Sequence, residues 1–414
     1  MSFKSIYVPA QLLLAGITPF AHAAPLTFSY AVSSALQQSP ELSASRTGIH
    51  SAQAAAIPAG ALPDPKLITG LDNFPVSGPM ANSLTEESMT MEKIGLMQEF
   101  PNSAKRDARE EVASAQIQQA GSQHSILQVD VAQGAALAWL SRYYLEQQLG
   151  LLQQLEHENG LLGTALQAQI VSGRTPLADV LNADEKQAEL ADREDQLQRD
   201  LRTATASLSR YIGADAQQPL VGSAPDLPVD ATSYLKTLHN TPKIQAYNSE
   251  TAKAKAELRA AQAEKNPDWS VELDYQRRDP QYGNMVSVQF TVGLPVFAAN
   301  RQDPIIAAKT LDLTQVGELR DAAIRQQTNQ LNNDLAEYAT LTRQIERIDQ
   351  RWLPLARQKV TLLNAGYSRG TSDSAALINA RSAVLEQQIR KVGLQSERAQ
   401  RAAALYYTFA GVQQ

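Results

Sequence analysis

The cleanest alternation of apolar and polar positions lies between Asn266 and Pro295. Trp269, Val271, Leu273 and Tyr275 are separated by Ser270, Glu272, Asp274 and Gln276, and the pattern resumes at Val286, Val288, Phe290, Val292 and Leu294. A period of two gives each strand one apolar and one polar face. The turn signals Asp279-Pro280 and Tyr282-Gly283-Asn284 join the pair into a hairpin. Each arm has roughly 9–11 residues, the length at which a tilted strand crosses a bilayer. Nearly all of the remaining chain has helical periodicity.

The hairpin has a counterpart earlier in the chain. Pro40–Leu42 matches Pro242–Ile244, and Asp64-Pro65 matches Asn266-Pro267, both at an offset of 202. Gly95-Leu96 matches Gly293-Leu294 at 198, while Gly173 matches Gly370 and Leu181–Ala183 matches Ile378–Ala380 at 197. A register held over so much of the chain predicts a tandem structural duplication. The strands of the first copy alternate less cleanly and are read from the second.

Long helices follow each hairpin. Between Pro101 and Pro176 there are 74 residues without proline, enough for a helix on the order of 110 Å at the standard rise. Leu137, Leu140, Tyr144, Leu151, Leu155, Leu162 and Leu166 form a coiled-coil seam along it. The turn Val171–Pro176 reverses the chain, and Leu190, Leu197, Leu201 and Leu208 line the return, with Ala204 at the intervening seam position. In the second copy the stripe is Leu331, Leu335, Tyr338, Ile345, Ile348 and Trp352, with a kink expected at Pro354. The predicted divisions are 1–23, a signal peptide; 24–212, the first repeat; 213–230, a linker rich in Gly, Pro and Asp; and 231–414, the second repeat. Strands are expected at about 66–74, 90–100, 268–277 and 285–294, and helical hairpins at about 102–212 and 303–410.

Composition narrows the setting. The N-terminus has Lys4, an apolar run and the triplet Ala21-His22-Ala23, which predicts export with cleavage after Ala23. No other segment has the roughly 20 apolar residues of a transmembrane helix, so a membrane span here requires a β-barrel. The 414 residues include no cysteine, which excludes disulfides, thiolate metal sites and an N-terminal lipid-anchor cysteine. A formal net charge of −6 disfavours nucleic acid as a partner. Four strands cannot close a barrel and open edges are not tolerated in lipid, so the chain must oligomerise. Three copies supply twelve strands. The fold class expected is therefore mixed and mainly α: long coiled-coil hairpins forming a periplasmic α-barrel, with a small membrane β-barrel.

The duplication, the hairpin placement and the turns after the long helices make the chain resemble the TolC-like outer-membrane efflux family over essentially its whole mature length. Leu71–Pro79 and Met89–Pro101 are similar to its heavy-metal branch, which serves cobalt–zinc–cadmium and copper–silver pumps. The resemblance implies a homotrimer in outer-membrane lipid, working with a periplasmic adaptor (membrane fusion) protein and an inner-membrane resistance-nodulation-division pump. It places adaptor contacts at Ser172, Gly173, Arg174 and Thr175 and at Ser368, Arg369, Gly370 and Thr371. Gly173 and Gly370 also suit helix C-caps. Family members often gate the periplasmic end with acidic rings. This chain has Ala376 and Asn379 in the matching slots, which leaves Asp179 and Asp373 as gate candidates, or as solvated surface carboxylates.

No P-loop, HExxH, GxSxG or CxxC motif occurs, and no enzyme activity, cofactor or metal site is expected. Met80, Met89, Met91 and Met97 cluster around the first hairpin; thioethers can bind copper(I) or silver(I), and the plainer reading is packing in a membrane strand. Three functions share these elements: a passive duct for heavy-metal cations, a duct for drugs or secreted proteins, and a non-conducting envelope coiled coil. The two lipid-length strand pairs favour a duct.

Overall fold

The computed structural model describes residues 25–171 and 177–411, so the expected signal peptide and the turn Ser172–Thr175 lie outside them. Two short helices, α1 (Phe28–Gln38) and α2 (Pro40–Ala56), come first. Each has an oxygen cap at its start: Thr27 Oγ1 accepts from the Tyr30 N–H, and Ser39 Oγ accepts from the Leu42 N–H ahead of Pro40. Strands β1 (Lys66–Asp72) and β2 (Met91–Phe100) then lead into the 69-residue helix α3 (Ser103–Val171), and α4 (Leu177–Ile212) returns. The second half runs through α5 (Ala231–Thr237), α6 (Pro242–Ala263), β3 (Trp269–Arg277) and β4 (Met285–Val292). It closes with α7 (Gln302–Arg347), α8 (Leu353–Ser368) and α9 (Ser374–Leu405). Strand β1 stops short of residue 74 because Asn73 takes a left-handed φ of 55°, which leaves the extended region.

The four strands form one antiparallel sheet in the order β1-β2-β3-β4. The two hairpins, far apart in sequence, are joined by the β2–β3 ladder. Phe100 stands opposite Trp269, their rings stacked at 4.2 Å. From the sheet, α3 runs on the order of 100 Å. Its first half packs on α2 and α6, with His124 beside Ser45 and Ser249 bonded to Ser122. Its second half packs on α4 and α9 through Leu152, Leu155, Leu190, Leu197 and Ile389, then Leu162, Leu166, Val180, Ala183 and Ile378. No described helix is long and apolar enough to cross a membrane.

Halfway along α3 lies the largest core. Trp139 is fully buried and its indole N–H donates to the Leu26 carbonyl at 3.2 Å. Arg142 donates to the Ala216 carbonyl, closing the segment after α4 against the same helix. Ala132, Ala135 and Ala136 are fully buried there, and their small side chains let α1 and α4 approach closely.

The stripe expected on the second long helix breaks at one residue. Ile348–Trp352 is π-helical, and Pro354 sits in the first turn of α8. A π turn holds one extra residue, which rotates the downstream helix by about 100° relative to an unbroken α-helix. Ile348 and Leu353 are therefore buried, and Trp352 points outward, 51% exposed.

Candidate functional site

The two faces of the sheet differ in kind. One row across all four strands reads Leu67, Leu96, Leu273, Val288, and these side chains are 55–67% exposed. Ile94, Tyr275 and Val286 make a second row, and Phe290 at 70% exposure belongs to the same face. The opposite face carries Lys66, Lys93, Glu99, Glu272, Asp274, Gln276, Ser287 and Gln289. On it Asp274 is only 2% exposed, and Lys93 holds Glu272 at 2.6 Å and Asp274 at 3.2 Å. An apolar surface of this extent on one face, broken only by the Arg277–Glu92 pair at its end, with the Lys66 and Lys93 ion pairs on the other, is the pattern of a sheet that meets lipid on one side and water on the other. Among the described residues, β1 and β4 have no strand on their outer edges.

Where sheet meets helix, Lys105 forms a clasp. Its ammonium, nearly buried, reaches Asp268 at 2.7 Å and Glu264 at 3.1 Å, so that α3 grips the entry to β3. The Asn102 N–H donates to the other Asp268 oxygen at 2.8 Å. Burial opposes ionisation of Asp268, yet the Lys105 and Asn102 hydrogen bonds hold its carboxyl below the ordinary 3.8. Burial likewise works against the Lys105 charge, and the two carboxylates outweigh it, raising that pKa above 10.5. Nothing in the alternation pattern singles out Lys105. Its partners lie some 160 residues away in the chain.

The described helical tip is a tight reversal. The Thr371 N–H donates to the Gly366 carbonyl at 2.9 Å and the Gly370 N–H to the Tyr367 carbonyl at 3.0 Å, a Schellman closure with Gly370 at φ 72°. Gly366 is needed for approach as well: a Cβ there would stand 2.1 Å from Ser372 Oγ. Ser368, Arg369, Gly370 and Thr371 are all exposed. Asp373 precedes α9 in an extended conformation, and its carboxylate accepts from Gln169 Nε2 of α3. The same amide reaches Ser374 Oγ at 3.0 Å, so the second tip is tied to the first hairpin. Asp179 lies in the first turn of α4, and its side chain is outside the described residues.

The methionines do not converge. Met91 and Met97 share the polar face of β2 but stand about 20 Å apart along it, while Met80 and Met89 are exposed in the preceding loop. Among the described residues no group of three or more His, Cys, Asp or Glu is arranged to hold a metal ion.

Residues 234–411 match the family described as outer membrane efflux protein. No curated protein matches the chain in sequence. Solved structures match over nearly its whole length. CusC, described for its transmembrane channel formation, aligns with a TM-score of 0.76 at 16% identity, covering 93% of this chain and 92% of its own. The chain has the fold of a TolC-like outer-membrane factor. A membrane protein of Pseudomonas aeruginosa aligns at 0.77 and 15% identity, over 92% and 93% of the two chains. The outer membrane protein VceC of Vibrio cholerae aligns at 0.74 and 18%, over 93% and 96%.

Proposed function

We propose that three copies of this chain form a passive exit duct in the Gram-negative outer membrane, the outermost part of a tripartite efflux system. The observation that carries this reading is the sheet, with its outward apolar face and unpaired edges. Pairing β1 of one copy with β4 of the next leaves no edge in lipid and closes twelve strands into a barrel. The helices extend the tube into the periplasm. The exposed tip Ser368–Thr371, and its counterpart Ser172–Thr175, would receive the helical ends of a periplasmic adaptor that links the duct to a resistance-nodulation-division pump. Asp373 and Asp179 are proposed as threefold acidic rings near that end, concentrating cations at the entrance. The duct performs no reaction; the pump supplies the energy. Export begins with the N-terminal signal peptide.

The cargo proposed is heavy-metal cations, supported by the similarity of Leu71–Pro79 and Met89–Pro101 to the metal branch. A clean deletion strain, with and without the intact gene, tests it against zinc, cobalt, cadmium, copper and silver alongside dyes, detergents and antibiotics. Sensitivity confined to metals and cured by the gene is the expected result. Sensitivity confined to organic compounds would reject metal cargo and leave the duct.

A further inference from the structure

The ion cluster on the polar face of the sheet is unbalanced. Lys93 is a single ammonium serving two carboxylates, Glu272 and Asp274, which follow one another on the same face of β3. Its own cross-strand neighbour is Gln276, so the side chain runs along the ladder to reach them. Gly95 makes the arrangement possible. It stands directly opposite Asp274, and a Cβ on it would lie 1.9 Å from Asp274 Oδ1. That oxygen is buried and has no hydrogen-bond donor among the described residues. A buried carboxylate oxygen left without a donor is costly. Lys93 supplies one positive charge to the two carboxylates, so one negative charge of the cluster is left for something outside it to balance.

The rest of that face does not balance it. Lys66 is engaged by Glu99 at the strand edge, and Asp72 adds a further carboxylate at the far end of β1. In all, four carboxylates face two ammonium groups. We infer that Lys93, Glu272 and Asp274 set the charge preference of the pore at the level of the sheet. Lys93 is the tethered cation that partly neutralises a wall otherwise strongly negative. This inference rests on the trimeric duct reading, which repeats the deficit three times around one level of the lumen. Cations from the pore fluid complete the balance, so the barrel admits them in preference to anions.

The test is the potassium-to-chloride permeability ratio of purified trimers in planar bilayers, read from reversal potentials across a KCl gradient. Wild type should prefer potassium. Lys93→Gln should raise the ratio by about threefold or more near 0.1 M salt, where the Debye length of about 10 Å lets wall charges reach the passing ion. The double variant Glu272→Gln/Asp274→Asn should lower it towards or below unity, and it reads the same cluster should Lys93→Gln fail to assemble. Both shifts should shrink in 1 M KCl. Arg277→Gln, on the apolar face, should change nothing. If trimers of wild-type conductance show an unaltered ratio in both cluster variants, the inference is overturned while the duct stands. If wild-type protein forms no pores, both fall.

Discussion

The sheet and the helical body of this chain are built to opposite rules. In the body, Leu155 and Leu331 are buried and most charged groups lie outside, while the few that are buried, such as Arg142 and Asp334, are held in ion pairs. In the sheet, Leu273 and Phe290 are outside and Asp274 is buried. Both obey one principle applied to two solvents: apolar groups leave water wherever a less polar medium is offered. In the body that medium is the neighbouring helix. In the sheet, on the duct reading proposed above, it is the bilayer. A residue scale calibrated on one half of the molecule would misjudge the other.

Substitutions can break the comparison. Leu155→Ala, in the helical seam, should cost about 2–5 kcal/mol through lost burial and the cavity left behind, read as a lower thermal unfolding midpoint. Leu273→Ala should leave that midpoint nearly unchanged, whereas Leu273→Arg should cost about 2–4 kcal/mol of insertion and reduce the folded trimer recovered from outer membranes. Equal effects of Leu273→Arg on water-soluble unfolding and on membrane yield would show that the face does not meet lipid.

The clasp between the two regions should be the next most sensitive point. Lys105→Met leaves Asp268 and Glu264 facing each other unpaired. Because water reaches both carboxylates, the loss should be only about 1–2 kcal/mol, seen as a lower midpoint for separation of sheet and helices. The Asp268 pKa is lowered in the folded state, so its contribution is complete above the unfolded value near 3.8 and is lost as pH falls through the lower folded one. Raised above 10.5, Lys105 contributes fully below that value and loses its contribution only as pH climbs past the folded one. Unfolding midpoints should therefore be level between about pH 5 and 9 as far as this clasp is concerned, and Lys105→Met should flatten the acid limb.

The smallest effect expected is at the tip. Gly370→Ala forces a side chain into the left-handed region and should cost about 1 kcal/mol, slowing neither insertion nor trimer formation. Its consequence should be confined to efflux with an intact adaptor, scored as a higher metal sensitivity of cells carrying the variant.

Much of the fold was legible from local pattern. The alternation at Trp269–Tyr275 and Val286–Val292 reads as strand because a period of two fits no helix. The heptad steps at Leu155, Leu162, Leu166, Leu190 and Leu197 read as helix seams, and those residues are buried. Trp352 was misplaced by the same reasoning. A regular period cannot anticipate a π turn, and that turn sits where α8 must accommodate Pro354, which lacks an N–H and crowds the preceding turn. Of the candidate site, the turn glycine Gly370 was legible because a left-handed residue between two helices favours glycine. The Lys93 cluster and the Lys105 clasp were not.

By itself, then, the sequence determined what each segment is: strand or helix, which face is apolar, and where the chain reverses, since these depend on residues within a few turns of one another. Only the tertiary structure decided what meets what. The β2–β3 ladder that fuses two hairpins, the passage beside Gly95 that lets Asp274 fold towards Lys93, and the grip of Lys105 on Asp268 all join residues more than 150 positions apart. Such contacts form only after long loops close, and local periodicity carries no record of that closure.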